Sequence, residues 1–303
     1  MRAPRMLITS GLSVAVAIVA LALALPGASA TVRVAGTSNT AIPAASSNVG
    51  PTGIQAPYAE VANAAIGADI WSRNPTAEVP MGSITKVMTA YVVIESGNLN
   101  QLITVPRGII AYDKKYGAST AGLKPGQQFT AEELLYAMLI PSGCDAAYAL
   151  AQAYGPGLSG FIAKMNAAAA QLGLTGTHFT DFSGLPDPTE YSTYSDAQNL
   201  ITLGRDAMQL PFFASIVSLA SYHLAEVKGE HPAYTWKTTN PLIGNYPDVT
   251  GIKTGSTQAA GDCLLFEAVS SGKTVIGVVL DDPSWSAVTS DAETLLNYGF
   301  SDS

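Results

Sequence analysis

Histidine, cysteine and positive charge are all in short supply in this chain. Its three histidines, His178, His223 and His231, are scattered through 303 residues. None has the short spacing to a glutamate or second histidine that a zinc site uses, so no metal centre is expected. No spacing ties a histidine to Cys144 either, which leaves a cysteine nucleophile without its usual partner. Two cysteines, Cys144 and Cys263, cannot form a disulfide framework, and both are expected as unpaired thiols. Lys and Arg number 15 against 23 Asp and Glu, a formal net charge of −8. That balance argues against nucleic acid and anionic membrane surfaces as partners. A Gly-x-Ser-x-Gly hydrolase elbow and internal repeats are also absent.

The N-terminus supplies the one long apolar run. Arg2 and Arg5 precede an uncharged stretch from Leu7 to Leu25, and Ala28-Ser29-Ala30 offers a small-residue cleavage site. Residues 1–30 therefore read as a signal peptide and the chain as exported, either secreted or loosely held in the cell envelope. Residues 31–57 are rich in Ala, Ser, Thr, Gly and Pro without hydrophobic periodicity, and read as a flexible linker.

Residues 58–303 are long enough for one large core or two fused lobes. Short strands are expected around Ile66-Gly67, and a helix after Ser83. Between about 109 and 208 the pattern is mainly helical, with loops at Gly155-Pro156-Gly157 and from Ser183 to Thr193. Strands resume after Thr250; Asp262–Val269 and Thr274–Leu280 flank Ser271-Gly272 as a hairpin, and Ser290–Tyr298 reads as a closing helix. Strands and helices at both ends of a helical middle predict an α+β fold: an antiparallel sheet flanked by helices, with an all-helical lobe inserted.

Three short motifs carry the chemistry. Ser83-Ile84-Thr85-Lys86 places a hydroxyl and an amine one helical turn apart, within reach of each other. Ser270-Ser271-Gly272-Lys273 has the same spacing but falls in the predicted hairpin turn, so spacing alone decides nothing. Ser142-Gly143-Cys144 follows a helix opened by a Thr130/Glu133 capping box and stopped by Pro141. Lys253-Thr254-Gly255-Ser256 ends an extended stretch from Val249 to Ile252. Ser-x-x-Lys, Ser-x-Asn and Lys-Thr-Gly elements in this order mark penicillin-binding proteins and class A β-lactamases.

With Met165-Asn166, Thr177-His178-Phe179, Gly184-Leu185, Thr239-Asn240 and Gly251-Ile252 around these motifs, residues from about Ala59 to Phe300 resemble the low-molecular-weight penicillin-binding proteins. These are the serine D-Ala-D-Ala carboxypeptidases and transpeptidases, and residues 141–151 look most like the secreted Streptomyces DD-transpeptidase branch. The resemblance implies a β-lactamase/transpeptidase-like fold, with the site between the lobes, and a peptidoglycan stem peptide ending in D-Ala-D-Ala as substrate. β-Lactam antibiotics and an amine acceptor are the other implied partners, and no cofactor is. It casts Ser83 as nucleophile, Lys86 as proton acceptor and Ser142 as proton relay. Cys144, Lys253, Thr254, Gly255 and Ser256 would bind substrate, with the N–H groups of Ser83 and Ser256 holding the oxyanion.

Two departures stand out. Cys144 occupies the position where the family has Asn, and Thr239 the one where many carboxypeptidases have Arg. Both weaken the expected grip on the donor and favour an amine over water as acceptor. Two alternatives remain open at this point: a serine β-lactamase, and a non-catalytic penicillin- or muropeptide-binding protein. The first needs a Glu to activate deacylating water, yet Glu293-Thr294-Leu295-Leu296-Asn297 follows the Lys-Thr-Gly motif and falls in the predicted closing helix.

Overall fold

The computed structural model describes residues 50–302. The predicted signal peptide and most of the predicted linker lie outside the described residues. The linker's last residues are within them: Ile54 and Ala56 are buried, and Arg73 donates to both of their carbonyls at 2.9 and 3.0 Å.

Five strands form an antiparallel sheet. In chain order they are β1 (Tyr58–Asn63) and β2 (Asp69–Arg73), then, after two small two-stranded sheets, β7 (Val249–Thr257), β8 (Gly261–Ser270) and β9 (Lys273–Asp282). Their spatial order is β2-β1-β9-β8-β7. The runs Cys263–Ala268 and Val275–Leu280 are apolar on both sides of the pleat apart from Glu267, as central strands covered on both faces require. Ser271 and Gly272, at φ 52° and 79°, join β8 to β9. Two positive φ values make the tight hairpin turn that matches strand twist. The second Ser-x-x-Lys therefore spans a turn, with Ser270 paired to Lys273.

Alternation along β8 and β9 divides the core. Leu264, Phe266, Val275 and Val279 pack with Val288, Ala292 and Leu295 of the closing helix on one face. Cys263, Leu265, Ile276 and Val278 face the larger core of the remaining helices. These helices are α1 (Lys86–Ser96), α2 (Gly108–Tyr116), α3 (Ala131–Leu139), α4 (Cys144–Tyr154), α5 (Leu158–Gln171), α6 (Ala197–Met208) and α7 (Pro211–Val217); the closing helix is α8 (Trp285–Asp302). The expected capping box opens α3, with Glu133 N donating to Thr130 Oγ1 and Thr130 N to Glu133 Oε2.

The α+β architecture with a helical insertion is as expected, but the insertion is not wholly helical. Strand β4 (Gln128–Thr130) falls inside it and pairs with β3 (Leu102–Thr104), and a second two-stranded sheet pairs β5 (Ser221–Leu224) with β6 (Tyr234–Lys237). Strands of three or four residues are too short to impose a readable period of two, and tertiary packing sets them instead.

A buried acid pair ties the start of the described chain to α8. Asp291 Oδ2 accepts from Gln55 N and Ala56 N at 2.6 and 2.8 Å. Asp282, 1% exposed, has no hydrogen-bond partner for either oxygen among the described residues. Burial, then the neighbouring Asp291, push its carboxyl up to about 7. The folded chain thus holds a proton that the unfolded chain releases near pH 4. This contribution to stability is complete below about pH 4 and is lost as pH rises through 7. Asp282→Asn, whose amide can donate to Asp291 at any pH, should raise Tm by roughly 2–6 °C at pH 8 and change it little near pH 4. Thermal melts at both pH values check this; equal shifts at both would remove the proton held on Asp282 as the cause.

Candidate active site

Ser83 lies on a 3-10 turn, Gly82–Thr85, that runs directly into α1. The apolar residues that follow, Val87, Met88, Ala90 and Val93, bury the helix and carry Lys86 into the core with it. Gly82, at φ 53°, lets the turn press against the end of β7: a Cβ there would stand 2.6 Å from Ser256 N. The Ser83 turn and the Ser256 backbone are in this way brought side by side.

Lys86 is fully buried. Its Nζ contacts Ser83 Oγ at 2.7 Å, Ser183 O at 2.9 Å and Cys144 Sγ at 3.3 Å. A second buried lysine, Lys253, extends from β7 to Ser142 Oγ at 3.0 Å and to Thr254 O and Oγ1 at 3.0 and 3.2 Å. Burial first, and the Lys86 charge second, push Lys253 well below the ordinary lysine range. Ser142 has a left-handed φ of 63°, a conformation an L-residue adopts at a cost of about 1–3 kcal/mol. It does not cap α4, whose N-cap is Gly143 without a side-chain bond. The sequence places Ser142 between the two lysines; in the structure its hydroxyl bonds Lys253, and the partner from this motif that reaches Lys86 is Cys144.

Cys144 is buried at the first residue of α4, where its N–H donates to Ser119 O at 2.8 Å. Asp145 holds the same segment, accepting from Ala121 N and Leu123 N at 2.9 Å each. A cavity of about 290 Å³ opens here, lined among others by Ser83, Cys144, Tyr116, Leu185, Glu190 and Ser256. Lys253, Thr254, Thr239 and Asn240 border an interior gap too small to hold water. Between those two threonines the hydroxyls are 2.6 Å apart, so Thr239 bonds the Lys-Thr-Gly motif directly. Cys263, by contrast, is buried in β8, and burial pushes its thiol up to about 12, consistent with an inert core residue. Both cysteines are free, as expected.

Sequence reasoning missed the support beneath Lys86. Asp181 Oδ1 accepts from the backbone N–H groups of Ser183, Gly184 and Leu185 at 2.7–3.0 Å and from Ser183 Oγ at 2.9 Å. The turn it ties presents the Ser183 carbonyl to Lys86. Tyr112 of α2 closes the network, its hydroxyl 2.5 Å from Asp181 Oδ2 and 2.7 Å from Ser183 Oγ. Burial, then the Asp181 carboxylate, raise the Tyr112 phenol well above its ordinary value, so it stays protonated and can donate. Asp181-Phe182-Ser183-Gly184 carries the Asp, Ser and Gly of a turn, a signal that the sequence does display. Among the described residues, no group of three His, Cys, Asp or Glu side chains is arranged to hold a metal ion.

The chain can now be set beside known proteins. The signature of peptidase family S11, D-alanyl-D-alanine carboxypeptidase, matches residues 45–284. The D-alanyl-D-alanine carboxypeptidase of Streptomyces sp. strain K15 is 39% identical over 249 residues, 78% of this chain and 84% of that protein. The crystal structure of the Streptomyces K15 DD-transpeptidase superposes with a TM-score of 0.79 at 38% identity, covering 84% of this chain and all of that one. The D-alanyl-D-alanine carboxypeptidase structure from Mycobacterium tuberculosis gives 0.77 at 30% identity, over 84% and 95% of the two chains. With this coverage and the motif geometry together, the chain belongs to the serine-type D-alanyl-D-alanine carboxypeptidase family, peptidase S11, and is an enzyme of that class.

Proposed function

We propose that the chain is a DD-peptidase that transfers the acyl group of a D-Ala-D-Ala stem peptide through an ester on Ser83, with an amine favoured over water as acceptor. The observation that carries this reading is the set of partners around Lys86. To take a proton Lys86 must be in its neutral form, which has two N–H bonds and one lone pair. The Ser183 carbonyl and the Cys144 sulfur accept the two N–H bonds, which leaves the lone pair facing Ser83 O–H at 2.7 Å. The hydroxyl proton passes to Lys86 Nζ as Ser83 Oγ attacks the carbonyl carbon of the penultimate D-Ala. The oxyanion forms between the N–H groups of Ser83 and Ser256, each donor worth about 2.7–4 kcal/mol. The substrate carboxylate beside Lys253 favours its charged form, so that as the C–N bond breaks the leaving D-Ala amine takes a proton from the Ser142 hydroxyl, which Lys253 replaces.

The substrate carboxylate belongs with Lys253, Thr254 and Ser256, and the peptide lies beside β7 as an added strand; Gly255 lets the Ser83 turn approach β7, since a Cβ there would run into Met81 O. A β-lactam, which carries a carboxylate beside a strained amide, fits the same positions and acylates Ser83. The Arg2, Arg5 and Ala28-Ser29-Ala30 pattern supports export of the chain to the peptidoglycan it acts on. Glu293 of the β-lactamase alternative lies on α8, whose apolar residues pack against the sheet face opposite the Lys86 core.

The acceptor preference rests on Cys144 and Thr239. A thiol is a weak donor, so Cys144 holds the donor peptide's carbonyl less firmly than an Asn amide would. Incubating the enzyme with a diacyl-Lys-D-Ala-D-Ala peptide at millimolar glycine-type acceptor should give more transpeptidated than hydrolysed product. If hydrolysed product dominates and added amine leaves the partition unchanged, the chain is a plain carboxypeptidase. Cys144→Asn retains an acceptor for Lys86 and adds an amide donor. It should tighten donor binding by about 1 kcal/mol, read as a lower KM.

A further inference from the structure

Acyl transfer asks of the Cys144 sulfur only that it accept an N–H from Lys86, a task an oxygen atom would perform as well. Sulfur in that place adds a chemistry that oxygen lacks. A thiol is oxidised by peroxides to a sulfenic acid, and a nitrogen held nearby attacks the oxidised sulfur. Both reactants are present. Cys144 is a free thiol on the wall of the cavity of about 290 Å³ that also holds Ser83, so a molecule as small as hydrogen peroxide has a path to it. A primary amine, Lys86 Nζ, stands 3.3 Å from the sulfur and 2.7 Å from Ser83 Oγ. Rotation about the Cε–Nζ bond turns its lone pair from the one to the other. The second thiol offers no alternative at this wall: Cys263 lies in β8, directed to Ala260 O at 3.2 Å, and does not line the cavity. A thiol and an amine are thus in contact where an oxidant can enter.

We infer that Cys144 and Lys86 form a redox-modification site, where hydrogen peroxide joins the two side chains through a sulfur–nitrogen bond and thiols release them. In the first step Sγ attacks one peroxide oxygen. The S–O bond forms, the O–O bond breaks, and the departing hydroxide takes the thiol proton to leave as water. Sulfur is oxidised to the sulfenic acid and the peroxide is reduced. In the second step the Nζ lone pair attacks Sγ. The S–N bond forms, the S–O bond breaks, and hydroxide leaves with one Nζ proton as a second water. Two equivalents of an external thiol reverse the link, restoring Cys144 and Lys86 and leaving the external thiol as its own disulfide. While the link lasts, the nitrogen is tied to sulfur and is a far weaker base than a free amine, so Ser83 has no proton acceptor. That consequence rests on the acyl-transfer role of Lys86, whereas the link itself rests on the contact alone.

The test treats the full enzyme with excess hydrogen peroxide, digests it without reductant and maps the peptides by mass. The expected product is a linked pair, one peptide containing Lys86 and the other Cys144, lighter by two hydrogen atoms than their sum. Acylation by a chromogenic β-lactam should fall about 10²-fold or more, as when a positioned proton acceptor is lost, and dithiothreitol should restore it. Methionine sulfoxide needs a reductase to reverse it and would not give that recovery. Cys144→Asn keeps an acceptor beside Lys86 without the sulfur, and should hold its own untreated acylation rate through the same treatment. Cys263→Ala should link and lose acylation as the wild type does. A sulfinic or sulfonic acid on Cys144 without linked peptides, a disulfide between Cys144 and Cys263, or a chain unchanged by peroxide would overturn the link and spare the role of Lys86 in acylation. A linked pair retaining one oxygen would overturn the direct S–N bond. Linked peptides with acylation undiminished would overturn both the switch and Lys86 as proton acceptor.

Discussion

Lys86→Ala should slow acylation of Ser83 by about 10²–10⁴, the range for a positioned acid–base group, in a chain that still folds. Lys86→Arg should be nearly as inactive. A guanidinium keeps its proton at any working pH, so it offers Ser83 a charge but no lone pair. The arginine variant separates the two possible jobs of Lys86. If the residue served only to place positive charge beside Ser83, arginine would restore much of the rate. Burst kinetics with a chromogenic β-lactam or a D-Ala-D-Ala thioester give the acylation rate directly. An arginine variant within ten-fold of wild type would rule out proton transfer to Lys86.

Asp181→Ala should be almost as damaging from one step further away. One Asp181 oxygen accepts three backbone N–H groups and the Ser183 hydroxyl, and the other meets Tyr112. Without it, the turn that aims the Ser183 carbonyl loses its centre, and Lys86 loses one of the two acceptors that orient its lone pair. A displacement of about 1 Å at a reacting group can cost on the order of 10²-fold. The expected result is that fall in acylation rate, with roughly 3 kcal/mol or more lost from stability as several buried donors are left unpaired. Asp181→Asn, which keeps one acceptor oxygen for the turn, should recover part of both. A merely structural role would lower Tm but leave the acylation rate and its pH profile in the surviving folded enzyme unchanged. Positioning of Lys86 requires both to move.

How far the site could be read from sequence follows chain distance. Ser83 and Lys86 are three residues apart, and Lys253-Thr254-Gly255 is one stretch of strand, so local geometry specifies them. The long apolar runs of β8 and β9, the Ser271-Gly272 turn and the Thr130/Glu133 cap are local signals as well, and each element stands where it was expected. The environment of Lys86 is not local. The Ser183 carbonyl comes from 97 residues away, and a backbone acceptor leaves no mark on residue identity. The left-handed φ of Ser142 and the bond between Thr239 and Thr254 arise from packing in the same way. Cys144 shows the difference most sharply. Sequence placed it in the cleft as a weaker substitute for Asn, while the structure adds its contact with Lys86.

The most direct test of the mechanism is to trap the acyl-enzyme with penicillin, digest it and map the adduct by mass spectrometry. Acylation by a nucleophile held between Lys86 and two oxyanion donors predicts one adduct, on Ser83, in the peptide that contains Ser83-Ile84-Thr85-Lys86. An adduct on Cys144, whose sulfur sits 3.3 Å from the same amine, or on Ser142 beside Lys253, would contradict it.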